Sequence, residues 1–237
     1  MKTIFAFGGK DKVVRVLLTL GLAFSGVAQA TAQEAGLVAA GATQAATQEV
    51  RISPDIMQLE YNFAGKTYII RRNQDQNARI PEAYTKTSRP CPIFCIQPIT
   101  PHEGVQTYGE LELVKFMQDY VSEGKGFLID SRTKDWYAKG TIPGAVNLPY
   151  NVFVPSEENV FFDSVMNMLG GTKSEFDEWS FEDPKDLLLF CNGPWCAQSP
   201  TAIRNLIAIN YPVEKLHYYR GGMQNWVGMG FVTEIPK

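Results

Sequence analysis

The stretch DLLLFCNGPWCAQSPTAIRNLIAI, residues 186–209, decides the fold. DLLLF is a short, nearly continuous apolar run, the pattern of a strand buried on both faces. SPTAIRNLIAINY, residues 199–211, has helical character, with Pro200 tolerated near the start. Between strand and helix stand two cysteines, Cys191 and Cys196, with four residues separating them. A thiol at a strand-to-helix turn meets backbone N–H groups and the positive end of the helix dipole, both of which favour an anion. That placement lowers a thiol pKa and makes a better nucleophile. Cys191 is therefore the candidate nucleophile.

Working outward, the same alternation continues. YGELELVKFMQDYVSEG, residues 108–124, spaces Leu111, Val114, Phe116 and Met117 near a helical period and stops at Gly124. GFLIDSR, residues 126–132, reads as a second buried strand that ends in polar residues. IPGAVNLPY is a turn leading into an extended piece, and SEENVFFDSVMNMLGG is a helix halted by Gly170 and Gly171. KLHYYRGG, residues 215–222, supplies another strand, and MQNWVGMG closes the domain. Alternating helices and short apolar strands predict an α/β domain with a mostly parallel sheet flanked by helices. Ligands of such sheets sit at the carboxyl ends of the strands, where Asp130 and Cys191 both fall.

The amino-terminal part differs. Lys2, Lys10, Lys12 and Arg15 precede the apolar run VRVLLTLGLAFSGVA, and Ala28-Gln29-Ala30 follows as a cleavage pattern. Residues 1–30 thus have the layout of a bacterial secretory signal peptide, and the expected destination is the periplasm. The run is short for a bilayer span, so no stable membrane span is expected after cleavage. Residues 31–49 are rich in Ala, Gln and Thr and read as a tether. Residues 50–105 form a small extension. Its start is a β-hairpin around Ala64-Gly65, with Met57, Leu59, Tyr61 and Phe63 on one covered face. Its remainder is irregular, punctuated by Pro81, Pro90, Pro92, Pro98 and Pro101. The net charge of −3 gives no footprint for nucleic acid.

The segment FLIDSRTKDWYAKGTIPGAVNLPY resembles the first half of a rhodanese domain, through Asp130, Arg132, Trp136, Gly140, Ile142, Pro143, Gly144 and Ala145. Thr141 stands where that family usually has His. The segment LLLFCNGPWCAQSPTAIRNLIAINYPVEKLHYYRGGMQNW resembles the second half, through Cys191, Ser199, Ala202, Leu206, Tyr211, Gly221, Gly222 and Trp226. The resemblance covers residues 106–237 and leaves residues 50–105 unexplained. It implies a sulfurtransferase that carries sulfur as a persulfide on Cys191, from a small sulfur donor to a thiol acceptor, with no cofactor and no metal. It implies that Asn192, Gly193, Pro194, Trp195, Cys196, Ala197 and Gln198 form an anion-binding loop, with Asp130 and Arg132 in support. The loop is about two residues longer than the usual rhodanese loop and holds no basic residue. Phosphoryl transfer wants positive charge at the oxygens, so a phosphatase ranks low.

Export favours disulfides. Cys91, Cys95, Cys191 and Cys196 allow three connectivities, of which the two local pairs are the simplest. Cys91–Cys95 would pin the irregular segment, or its thiols would take sulfur or electrons from Cys191. Cys196 would be a redox partner of Cys191, a resolving thiol or a small apolar filler. Two further functions stand beside sulfur transfer: a thiol–disulfide oxidoreductase cycling Cys191 and Cys196, and a binding or sensing module. His102 and His217 are expected to have no catalytic role, and Arg71 and Arg72 to be solvated.

Overall fold

The computed structural model describes residues 48–236. The proposed signal peptide and most of the proposed tether lie outside the described residues. The first elements are β1 (Gln58–Phe63) and β2 (Lys66–Arg71), an antiparallel hairpin. Ala64 and Gly65 both have positive φ, 48° and 77°, the left-handed turn whose twist suits the two strands. Then come β3 (Gln106–Tyr108), α1 (Glu110–Phe116), β4 (Gly126–Asp130), α2 (Lys134–Tyr137) and β5 (Val146–Asn147). They are followed by α3 (Phe162–Met168), the small pair β6 (Thr172–Lys173) and β7 (Trp179–Ser180), and β8 (Asp186–Phe190). The chain closes with α4 (Gln198–Ala208), β9 (Leu216–Tyr219) and α5 (Gly222–Gly228).

Five strands form one parallel sheet in the order β3-β9-β8-β4-β5. The central strand β8 is buried throughout and divides the interior. Leu188 and Phe190 point into a cluster with α1, α5 and the hairpin, while Leu187 and Leu189 point into one with α3 and α4. This two-residue alternation explains why the strand needs apolar residues at consecutive positions. Each such leucine contributes roughly 1.5–3 kcal/mol of burial.

The hairpin packs on the first of these clusters. Tyr61 and Ile70 lie in the same core as Phe116, Leu188 and Trp226. The Tyr61 hydroxyl donates to the Pro143 carbonyl at 2.8 Å, and a side chain at Gly144 would collide with it. Arg72 is not free in solvent as expected: its Nε donates to the Met229 carbonyl at 2.7 Å, and its backbone bridges Phe231. Arg71 is exposed.

Three other expectations need correction. Leu111 is half exposed, and Leu113 takes its place in the core, because the buried stripe of α1 runs through Leu113, Val114, Phe116 and Met117. The chain continues past α1 as one π turn, Met117–Val121. The helix expected across residues 156–171 is confined to Phe162–Met168, since Pro155 and the polar run after it hold no packing face. The strands β3, β6 and β7 escaped the sequence because strands of two or three residues show no measurable period.

Candidate active site

Cys191 follows the last residue of β8, and Asp130 ends the neighbouring β4 directly opposite Phe190. The loop from Asn192 to Ala197 then turns into α4, so the helix N-terminus faces the cysteine. The Cys191 carbonyl accepts from Met223 N–H at 2.9 Å, and the Asn192 carbonyl from Gln224 N–H at 3.0 Å. These two bonds hold the loop against the start of α5. The close approach requires Gly222, whose φ is +56° and whose added Cβ would stand 2.3 Å from the Cys191 oxygen. Gly222→Ala is expected to displace the loop and slow reaction of Cys191 with small electrophiles about a hundredfold. Alkylation kinetics at fixed pH measure this, and an unchanged rate would show that the loop tolerates the shift.

Cys191 and Cys196 are both free thiols, whereas Cys91 and Cys95 are joined by a disulfide. Cys191 is 1% exposed. As a thiol it donates to the Cys196 carbonyl at 3.2 Å. Burial opposes its ionisation, but hydrogen bonds from the Cys196 thiol, from the backbone and hydroxyl of Ser199 and from the Gly193 N–H outweigh burial. The net effect lowers its pKa to about 7. The Ser199 hydroxyl is buried without a hydrogen-bond partner and is among the groups that lower the Cys191 pKa. Cys196 moves the opposite way. Its hydrogen bond to Cys191 and its burial push its pKa well above the thiol range. One thiolate and one proton donor therefore share the site, each defined by the other.

Asp130 and Arg132 form a fully buried ion pair beneath the loop. Arg132 Nη2 donates to Asp130 Oδ2 at 2.6 Å and to the Gly140 carbonyl at 2.7 Å, and its Nε donates to Asp130 Oδ1 at 2.8 Å. Its Nη1 donates to the Tyr84 hydroxyl at 3.1 Å and to Asn192 Oδ1 at 3.4 Å. Thr141, in the position the family usually gives to His, donates to Asp130 Oδ2 at 2.7 Å. The guanidinium is thus spent on structure. It ties a strand end, the extension and the active loop together.

The extension also crosses the loop. Gln97 N–H donates to the Pro194 carbonyl at 2.7 Å, and Arg220 donates twice to the Gln97 carbonyl. Phe94 meets Trp195 edge-on with centroids 5.6 Å apart, and the Arg89 guanidinium lies 3.9 Å from the Trp195 ring centroid. Trp195 Nε1 donates to Gln224 Oε1 at 2.7 Å. A cavity of about 390 Å³ opens here, and Cys196 lines it together with Arg89, Phe94, Trp136, Tyr150 and Trp195. Asn192, Ala197 and Gln198 also line it, whereas Cys191 is buried and does not.

Arg89, Phe94, Gln97 and Gln224 were not singled out by sequence. No spacing marks them, since an irregular proline-rich segment has no period to read. His217 is packed between Tyr108 and Phe116 and pairs with Asp186 at the opposite end of β8 from Cys191. Burial lowers its pKa. His102 is exposed.

A parallel α/β sheet with a cysteine loop between its central strand and a helix N-terminus defines a thiol-bearing domain of the rhodanese type. The model of the rhodanese-like domain matches residues 112–229, and that part of the chain belongs to this family. Among solved structures, a human single-domain sulfurtransferase is similar at 21% identity, covering 54% of this chain and 97% of that one, with a TM-score of 0.33. A Saccharomyces cerevisiae single-domain sulfurtransferase is similar at 20% identity over 53% and 91%, with a TM-score of 0.36. The As-Sb reductase of Leishmania major is similar at 20% identity over 52% and 78%, also with a TM-score of 0.36. No curated protein matches the chain.

Proposed function

We propose that this protein is an exported sulfurtransferase that carries sulfane sulfur on Cys191, in the periplasm of a bacterium. The Cys191 thiolate attacks the outer sulfur of a donor such as thiosulfate. The donor's S–S bond breaks with its electron pair leaving on sulfite, and Cys191 becomes a persulfide. A thiol acceptor then attacks the outer sulfur, and Cys191 is released. The observation that carries the reading is the place of Cys191, a free thiol at the carboxyl end of the central strand, in a loop that turns into the start of α4, where loop and Ser199 groups lower its pKa. Backbone N–H groups of this loop would hold the anion.

The test is intact mass of the reduced protein before and after thiosulfate. Gain of one sulfur atom, retained in Cys196→Ser, is expected, because serine keeps a donor toward the thiolate. No gain from thiosulfate or from any persulfide donor would sink the proposal.

The second reading is thiol–disulfide exchange. Its support is that two free thiols share one loop, with Cys191 donating to the Cys196 carbonyl, and that Cys196 is the sulfur lining the cavity. Once Cys191 carries the persulfide, Cys196 loses its proton to solvent and its sulfur attacks the inner sulfur of that persulfide. A Cys191–Cys196 disulfide forms and HS⁻ leaves, after which a reducing dithiol must restore the pair. Redox turnover requires both cysteines, whereas loading requires only Cys191.

A further inference from the structure

The active loop contains no basic residue, and Arg132 has its donors committed to Asp130, Tyr84, Gly140 and Asn192. The cavity over Cys196 nevertheless has a cation in its wall. Arg89 lies in the extension, outside the residues matched by the family model. Its guanidinium carbon lies 3.9 Å from the Trp195 ring centroid, and the residue lines the cavity. Its Nε is buried without a hydrogen-bond partner, and no carboxylate among the described residues pairs with it. A guanidinium held in place by stacking, partly dehydrated and unpaired, is ready for an anion.

The shape of the cavity narrows the ligand further. Its volume of about 390 Å³ falls within the range of roughly 300–1,000 Å³ usual for organic ligands, and an inorganic oxyanion fills only a fraction of it. Phe94, Trp136, Tyr150 and Trp195 give it aromatic walls. Ile93, from the disulfide-closed turn between Cys91 and Cys95, adds an aliphatic one. Only a ligand with a carbon skeleton gains from those walls.

We propose that the extension builds a substrate subsite over the active loop, in which Arg89 binds the carboxylate or sulfonate of a small organic sulfur compound. This rests on the sulfur-transfer reading for the chemistry and specifies the carrier: an organic persulfide or thiol with one anionic group. The anion sits on Arg89, the carbon skeleton lies against the aromatic walls, and the sulfur reaches the Cys191–Cys196 pair. Arg89 is thus a specificity residue that the family's fold does not itself provide.

The experiment compares iodoacetate with iodoacetamide, an anionic and a neutral alkylating reagent of nearly equal size. Rates are read by peptide mass at Cys191 and Cys196, in the protein and in Arg89→Gln and Arg89→Lys. The ratio of the iodoacetate rate to the iodoacetamide rate is expected to fall about tenfold in Arg89→Gln and to recover in part in Arg89→Lys. The iodoacetamide rate should stay within about twofold, which shows that the loop is intact. Propane-1-sulfonate should slow iodoacetamide in the unaltered protein more than sulfate does, and should lose that effect in Arg89→Gln. An unchanged ratio, or two rates falling together, would reduce Arg89 to a packing partner of Trp195 and overturn the proposal. Protection by sulfate alone would overturn the organic carrier. Alkylation of neither sulfur would show that the cavity does not open onto the thiols, and would overturn it as well. None of these readouts involves sulfur transfer. Failure to load sulfur with charge selection intact would therefore count against the proposed function and not against the subsite.

Discussion

Cys191→Ser takes up no sulfur from thiosulfate: the intact mass stays unchanged and the loading rate falls at least about a thousandfold. Serine cannot substitute, because its hydroxyl stays protonated at neutral pH where the Cys191 thiol, with a pKa of about 7, is half ionised. Cys196 cannot take over either. With Cys191 gone its burial still raises its pKa and disfavours the thiolate. A serine variant that still gained sulfur would move the reactive centre to Cys196 and discard the assignment of Cys191.

The same pKa sets a pH profile. Alkylation of Cys191 by a neutral reagent should rise through a midpoint near pH 7 and level off above pH 8. At pH 7 that is roughly fiftyfold more thiolate than an unshifted thiol of pKa 9.0 would give. Cys196→Ala removes a donor to the thiolate, so the midpoint should move upward. Linkage gives a further consequence. The folded protein releases the Cys191 proton at lower pH than the unfolded chain does, so stability should rise between about pH 7 and pH 9 and lose this contribution below pH 7. Above pH 9 the Cys196 thiol, which stays protonated in the fold, works in the opposite direction. Urea midpoints across this range measure both.

The second large effect is expected at Asp130. Asp130→Ala leaves the Arg132 guanidinium fully buried without its counter-charge, which costs about 3–5 kcal/mol. Thermal unfolding should drop by roughly 10 °C for a fold of this size. Asp130→Asn keeps the shape and one acceptor oxygen while losing the charge, and should cost less than Asp130→Ala. The double variant Asp130→Ala, Arg132→Met should recover much of the loss, because no unpaired charge remains. Reactivity of Cys191 should fall along with stability in Asp130→Ala, since Arg132 also holds Asn192 and Tyr84. A single variant as stable as the parent would mean that water reaches the guanidinium, contrary to its complete burial.

Much of the domain was legible because its strands are buried on both faces. DLLLF and GFLID appear as apolar runs for the same reason that Leu187 and Leu188 end in two different cores. Gly221 and Gly222 were legible through the resemblance; that Gly222 must be glycine follows from its approach to the Cys191 carbonyl. Leu111 was misread because one turn of helix allows two apolar stripes, and only packing into the core with Leu188 and Trp226 chooses Leu113. Arg72 was misread because nothing in RR marks which arginine meets the carboxyl-terminal segment.

By itself the sequence determined the α/β alternation, the hairpin, and a cysteine pair poised between a buried strand and a helix. Those features are local: they depend on period, on glycine and proline, and on neighbours along the chain. The strand-to-helix position pointed to Cys191 as the thiolate, and the tertiary structure added what sequence could not show, the groups of Ser199, Gly193 and Cys196 that favour it against its burial. The tertiary structure alone brought Arg89 and Phe94 over Trp195, across about a hundred residues of chain. Long-range contacts of this kind carry no periodic signal. They exist because the extension has no core of its own and stays folded only by packing on the domain it covers.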